Sequence, residues 1–342
     1  KATQLGIVLI PFCCGGGDGV YTDKSIAEAY PIKGTEFRVT GSTASAINEL
    51  PDTNHPNGNF ESWSGITPNS WNLSGAPGTI GTLWQKDTTT VHGGLASLKA
   101  VNPGINAVGG NQVRIYQYAH VKPWRMYRLS VYIKTSNWTG AENMYWEILG
   151  SNGWNGPRFI YGPKYRRLTP YSIQAPTNDW TEYWVEFPSM EENYINITGY
   201  FNSATTNGTL WTDDYSLTEI GLNNGLSDSY RPVTVTSLDG LTTYTQGSDY
   251  AIPSMSGQTL SIPVGSRITN SSTVRVNWWR FANFTYQYSA LASFCRQGAL
   301  DALAESVKRK INFWGADTKA IILGFDEMSA FNWDPACGSM SS

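Results

Sequence analysis

The chain has 342 residues, 40% hydrophobic and 15% charged, with a formal net charge of −3. That length and apolar content suffice for two domains of ordinary size. No stretch reaches the ~18 consecutive apolar residues of a membrane-spanning helix, and the short basic groups at 164–167 and 308–310 read as solvated faces rather than a nucleic-acid track.

Residues 5–12, LGIVLIPF, form a continuous β-branched apolar run, the pattern of a strand covered on both faces in a parallel sheet. The loop after it carries Gly15, Gly16 and Gly17. No Gly-Lys-Ser/Thr follows, so a phosphate cradle is not indicated. A loop at the carboxyl end of a strand is where α/β folds place ligand surfaces. Residues 34–41 alternate like a short antiparallel strand.

From about Asn57 the period is two. Short alternating segments, among them VRIYQYAHV, YRLSVYIKT, DWTEYWVEF and WTDDYSLTE, are separated by Gly, Pro, Asn and Thr turns. Leu129, Val131 and Ile133 fall on one face. Such spacing without helices predicts a two-sheet β-sandwich. Three short strands after Gly221 predict a small antiparallel appendage. A strand at 272–284, a helical stripe of Leu300, Leu303, Val307, Ile311 and Trp314, and a buried strand at 319–325 then predict a βαβ unit with parallel strands.

The expected fold is therefore mixed and mainly β: a jelly-roll β-sandwich inserted into part of an α/β, TIM-type barrel, with the appendage between. The expected segments are residues 1–55, 56–222, 223–270 and 271–342.

Fourteen Trp and nineteen Tyr stand against 24 Lys plus Arg. Flat amphipathic rings suit stacking on sugars as well as core packing. The stacking candidates are Tyr116 and Tyr118, which share one strand face, with Trp124, Trp146 and Trp154, the last in a Gly/Asn loop. Cys13, Cys14, Cys295 and Cys337 lack the spacing of a disulfide framework or zinc site and are expected as free thiols. No signal peptide is visible at Lys1, so a mature chain or one beginning within a longer protein is expected.

The ordered set NGNFESW, VHGGLASLKA, YRLSVYIKT, DWTEYWVEF and WTDDYSLTE, over Asn57–Gly221, resembles the jelly-roll carbohydrate-binding modules of the family 4, 9 and 22 type. The resemblance implies a polysaccharide or oligosaccharide partner. It also implies a structural calcium ion held by Glu61 and Asp214 with carbonyls near His92 and Gly93. Surface charge ending a strand is the alternative for the two aspartates.

The flanks, from GIVLIPFCCGGGDG to GFDEMSAFNWDPAC, resemble bacterial glycoside-hydrolase-like (β/α)8 barrel proteins, and depart from them at CCGGGDG. This implies that Leu5–Phe12, Thr273–Phe281 and Ala320–Phe325 are successive barrel strands. Asp326 and Glu327 then lie at the carboxyl end where such barrels hold their sites, Glu327 as acid and Asp326 as its orienter. Capping of a following helix is the alternative. Three strands of eight imply that the rest of the barrel belongs to a longer polypeptide. A secreted or cell-surface bacterial location follows from the same resemblance. A polysaccharide hydrolase, a non-catalytic sugar-binding or surface protein, and an assembly protein are the competing classes.

Overall fold

The alternation of apolar and polar residues governs most of the structure, a computed structural model that describes residues 12–14, 29–50, 55–74, 80–106, 113–139, 144–150, 176–201, 207–281 and 322–324, with single helical positions between 296 and 312. The chain divides into two compact units, Lys1–Ser45 with Leu222–Ser342, and Ala46–Gly221. They are called the flanking and the inner unit below.

In chain order the strands are β1 (Phe12–Cys14), β2 (Ala29–Thr40), β3 (Thr43–Ala46), β4 (Trp63–Ser64), β5 (Thr67–Pro68), β6 (Asn72–Ser74) and β7 (Trp84–Asp87). Then follow β8 (Ser97–Val101), β9 (Val113–His120), β10 (Met126–Thr139), β11 (Met144–Gly150), β12 (Asn178–Pro188), β13 (Tyr194–Phe201) and β14 (Asn207–Glu219). The last are β15 (Gly225–Leu226), β16 (Thr234–Ser237), β17 (Thr243–Tyr244), β18 (Thr259–Ser261), β19 (Thr273–Phe281) and β20 (Ile322–Gly324).

The inner unit has a five-stranded sheet, β12-β10-β14-β8-β7, and a four-stranded sheet, β11-β13-β9-β6. Every connection from β8 through β14 crosses from one sheet to the other, which is jelly-roll winding. Their inward residues are the alternate apolar ones: Leu98 and Ala100, Ile115, Leu129, Val131 and Ile133, Val185 and Phe187, Ile195 and Ile197 are all buried. Each large aliphatic or aromatic side chain removed from water contributes about 1.5–3 kcal/mol. Trp71, just before β6, and Tyr215 of β14 bridge the sheets with ring centroids 4.8 Å apart. The sandwich expected from the period of two is thus present.

The flanking unit corrects the expected barrel strand at 273–281. β19 lies antiparallel to β2, with Thr273 opposite Arg38, and antiparallel to β16, with Val235 opposite Val276. With β3, β15, β17 and β18 these strands form one seven-stranded sheet. The segments expected as an appendage and as a barrel strand are therefore neighbours in one sheet. The physical reason is in β19 itself: Val274, Val276 and Trp278 are buried while Arg275 between them is exposed. A parallel barrel strand is apolar on both faces; this one alternates.

The two outermost apolar runs do pair in parallel, Phe12 with Ile322 and Cys14 with Gly324. The described residues hold these two parallel strands and no closed barrel. Gln297, Asp301, Glu305, Lys308 and Asn312 are helical and exposed at spacings of three or four, as the outer face of the expected helix requires. The apolar stripe proposed for its inner face lies outside the described residues. Among the described residues no helix is long and apolar enough to cross a membrane.

Candidate functional site

Two features of the inner unit gather the chemistry. The first is the outward face of the four-stranded sheet. Along β9 the side chains of Val113, Ile115, Gln117 and Ala119 turn inward and are buried, leaving Arg114, Tyr116, Tyr118 and His120 on the other face. Directly opposite residues of antiparallel strands share a face. Tyr116 therefore stands in a row with Asn72 of β6 and Thr198 of β13, and Tyr118 with Asn196.

Tyr118 is 43% exposed. Its ring stacks on that of Tyr194 at a centroid distance of 5.3 Å and 17° between planes. Tyr116 meets Tyr118 edge-on at 6.0 Å, and His120 meets Tyr194 edge-on at 4.7 Å. The result is an aromatic strip running along β9 and onto β13, with amide and hydroxyl groups beside it: the Thr198 hydroxyl donates to Asn196 Oδ1 at 2.7 Å.

Of the other expected stacking residues, the structure describes the surroundings of Trp124 alone. Trp146 is paired with Gly199 of β13. Trp124 is half-buried in the β9–β10 turn at φ 59°, its N–H donating to the Met190 carbonyl at 2.6 Å. Trp154 lies outside the described residues, as do Asp326 and Glu327. Tyr194 and His120 escaped the sequence reading. Their signal was the alternation of YINI and YQYAH, which sets each on the polar side, but the pairing that joins β9 to β13 is not written in either segment.

The second feature is a cluster of acids around the turn that precedes β8. Glu61 Oε1 accepts the N–H groups of Leu95 at 2.7 Å and Ala96 at 3.1 Å. Asp213 Oδ2 accepts those of His92 at 3.0 Å and Gly93 at 3.3 Å. Asp214 Oδ2 meets His92 Nδ1 at 2.6 Å. Adjacent strand residues normally point to opposite faces. Here the β10–β14 register shifts between Ser130 and Tyr132, and Asp214 adopts a φ of 47°. This bulge turns both acids onto one turn.

The turn depends on Gly93 and Gly94, since a β-carbon on Gly93 would collide with the Asp214 carboxylate and one on Gly94 with that of Glu61. Burial, reinforced by the neighbouring Asp214 charge, pushes Asp213 up to about 6 against the pull of its amide donors. His92 is stacked on Tyr132 at 3.6 Å and 14°, with Trp180 edge-on at 5.6 Å. Glu61, Asp214 and the His92–Gly93 turn, named from the sequence, lie together here with Asp213, which the sequence reading did not single out.

The donor set is oxygen-rich and anionic, which suits a hard cation. No group of three or more His, Cys, Asp or Glu side chains among the described residues forms a metal site by itself. A cation here would draw on backbone carbonyls as well.

No protein-family model matches the chain, and no curated protein matches it. Similar solved structures include the CBM22-1 xylan-binding domain of Paenibacillus barcinonensis Xyn10C, at 12% identity over 47% of this chain and 90% of that one, with a TM-score of 0.31. TmCBM61, solved with β-1,4-galactotriose, is similar at 13% identity over 51% and 99% of the two chains, TM-score 0.30. The arabinose-bound α-L-arabinofuranosidase MgGH51 is similar at 12% identity over 59% and 31%, TM-score 0.35.

Proposed function

We propose that the inner unit binds polysaccharide along the outward face of its four-stranded sheet. The observation that carries this reading is the stacked pair Tyr118 and Tyr194, continued by Tyr116 and His120 and flanked by Asn72 and Asn196. Rings present apolar faces to the C–H side of a sugar, and the amides beside them can hydrogen-bond its hydroxyls. Preformed ring stacking lowers the ordering cost of binding. A secreted or cell-surface protein of a bacterium suits this activity. The test is a glycan-array screen followed by titration of the best glycan against Tyr118→Ala and Tyr194→Ala. Each is expected to weaken binding by roughly tenfold, about 1.4 kcal/mol, with unchanged far-UV circular dichroism. Undiminished affinity in both variants refutes the platform.

Calcium belongs to the same proposal. Glu61 and Asp214, with carbonyls near His92 and Gly93, would hold the ion. It would supply positive charge where Glu61, Asp213 and Asp214 converge, fixing the turn that leads into β8.

A second reading, a polysaccharide hydrolase, is favoured by the parallel pairing of β1 with β20. It sets the segment just before Asp326 and Glu327 beside the chain that enters the glycine-rich loop. In that reading Glu327 donates a proton to the leaving oxygen and Asp326 orients it. Release of reducing sugar from a bound glycan, abolished by Glu327→Gln with binding retained, is the expected result. Turnover unaffected by Glu327→Gln removes the residue from the chemistry.

A further inference from the structure

Arginine keeps its proton inside a protein, so a buried guanidinium requires a counter-charge. Three arginines of the flanking unit allow a comparison. Arg231 is fully buried and forks onto Asp228, with Nε 2.8 Å from Oδ2 and Nη2 on the same oxygen. Arg267 grips Asp249, its Nε 3.0 Å from Oδ1. Arg280, on β19, is 7% exposed, yet its partners are neutral. Nε donates to Asn223 Oδ1 at 3.3 Å, and Nη1 to the Tyr30 hydroxyl and to the Phe281 carbonyl at 3.5 Å. The guanidinium carbon lies 5.7 Å from the centroid of the Tyr30 ring. Nη2 donates to none of the described residues, and no carboxylate among them pairs with Arg280.

The register explains how the charge comes to be there. Arg280 is opposite Tyr30 on β2 and opposite Gly225 on β15, so all three share a face at one end of the sheet. Met255 lies over Gly225, close to where a β-carbon would project. The other face at this end is closed by Ala29, Leu226 and Phe281 with Trp279 packed against them. Burial raises the pKa of Tyr30 despite the adjacent cation, so the phenol keeps its proton and cannot supply the missing charge. Asn223 is neutral. Among the described residues the positive charge of Arg280 thus has no carboxylate beside it, and hydrogen-bonding groups are already fixed in place around it.

We propose that Arg280, with Tyr30 and Asn223, is the preformed half of a binding site for a small carboxylate, the charged group of an acidic sugar being one source. A carboxylate matches the planar fork in shape and charge. An acidic side chain of this polypeptide is the competing source, and the experiment separates the two.

The full chain is melted at constant ionic strength with acetate, galacturonate or, as the uncharged control, galactose. Saturable stabilisation by acetate and galacturonate and none by galactose is expected. The half-saturating concentration should rise at least tenfold in Arg280→Lys, which keeps the charge but not the fork, and severalfold in Tyr30→Phe. The response should vanish in Arg280→Met. Should Arg280→Met fail to fold, Arg280→Lys reads the same loss. Equal responses in wild type and Arg280→Lys overturn the site. So does the absence of any carboxylate response in wild type, which would mean that the chain itself already neutralises Arg280.

Discussion

Asp214 holds a backbone conformation that most side chains avoid, with φ at 47°. Aspartate and asparagine tolerate this region better than other non-glycine residues. Its consequence is local: two successive carboxylates and Glu61 converge on one glycine turn, where like charges in a half-buried site oppose one another. Burial, and after it the Asp214 charge, pushes Asp213 up to about 6, and its amide donors relieve only part of this. A bound divalent cation would relieve the rest. Calcium at a hundredfold excess over its dissociation constant would add about 2.7 kcal/mol to folding stability, roughly 5–10 °C of melting temperature for a domain of this size. That rise should appear on adding calcium to chelator-treated protein and be largely lost in Glu61→Gln. A melting temperature indifferent to calcium in wild type rejects the ion.

At the scale of elements, the strands of the inner unit were legible because one face of each is buried and the period of two records it. VYI in β10 is the plainest case, with Val131 and Ile133 inside and Tyr132 outside. Motif order even located the turn that receives Glu61 and Asp214. What local sequence does not contain is the partner strand. The place of Trp146 depends on its pairing with Gly199, and Tyr194 joins the aromatic strip only through the register of β13 on β9. β19 shows a different limit. Both faces of its bulky NWWRF end are covered, by Tyr30 with Arg280 and by Ala29 with Phe281. The first half, with Arg275 exposed between Val274 and Val276, carried the antiparallel alternation that decides the pairing. Arg280 gave no signal, since nothing in its neighbours along the chain announces that a strand-end arginine will be buried.

The whole inner unit is closed at its base by charge. The chain enters it at Ala46 and leaves at Gly221, and the two ends are tied together there. Asn48 Oδ1 accepts the Glu219 N–H at 3.0 Å. Arg125 Nη1 lies 3.0 Å from Glu219 Oε1 and 3.3 Å from Glu49 Oε2, while Lys122 reaches Glu49 at 2.8 Å. The Glu219 side chain is sealed from solvent. Burial, opposed by Arg125 and aided by the Glu49 charge, lifts it to about 7 from its usual 4.5. Between those values the folded protein retains a proton that the unfolded chain has released. The stability this group contributes is therefore fully present below about pH 4.5 and is lost as pH rises through about 7. His55, packed edge-on against Trp71 and Tyr215, acts in the opposite sense. Burial lowers it to about 4, so acidification through the range below 6.5 favours the unfolded chain. The wild-type profile sums both effects; comparison with Glu219→Gln isolates one. The unfolding free energy of wild type relative to Glu219→Gln, measured by denaturant titration, is expected to climb as pH falls from 8 to 5, by about 1.4 kcal/mol per pH unit near the middle of the window. A difference that stays constant across that range would show that Glu219 does not hold its proton at the closure of the unit.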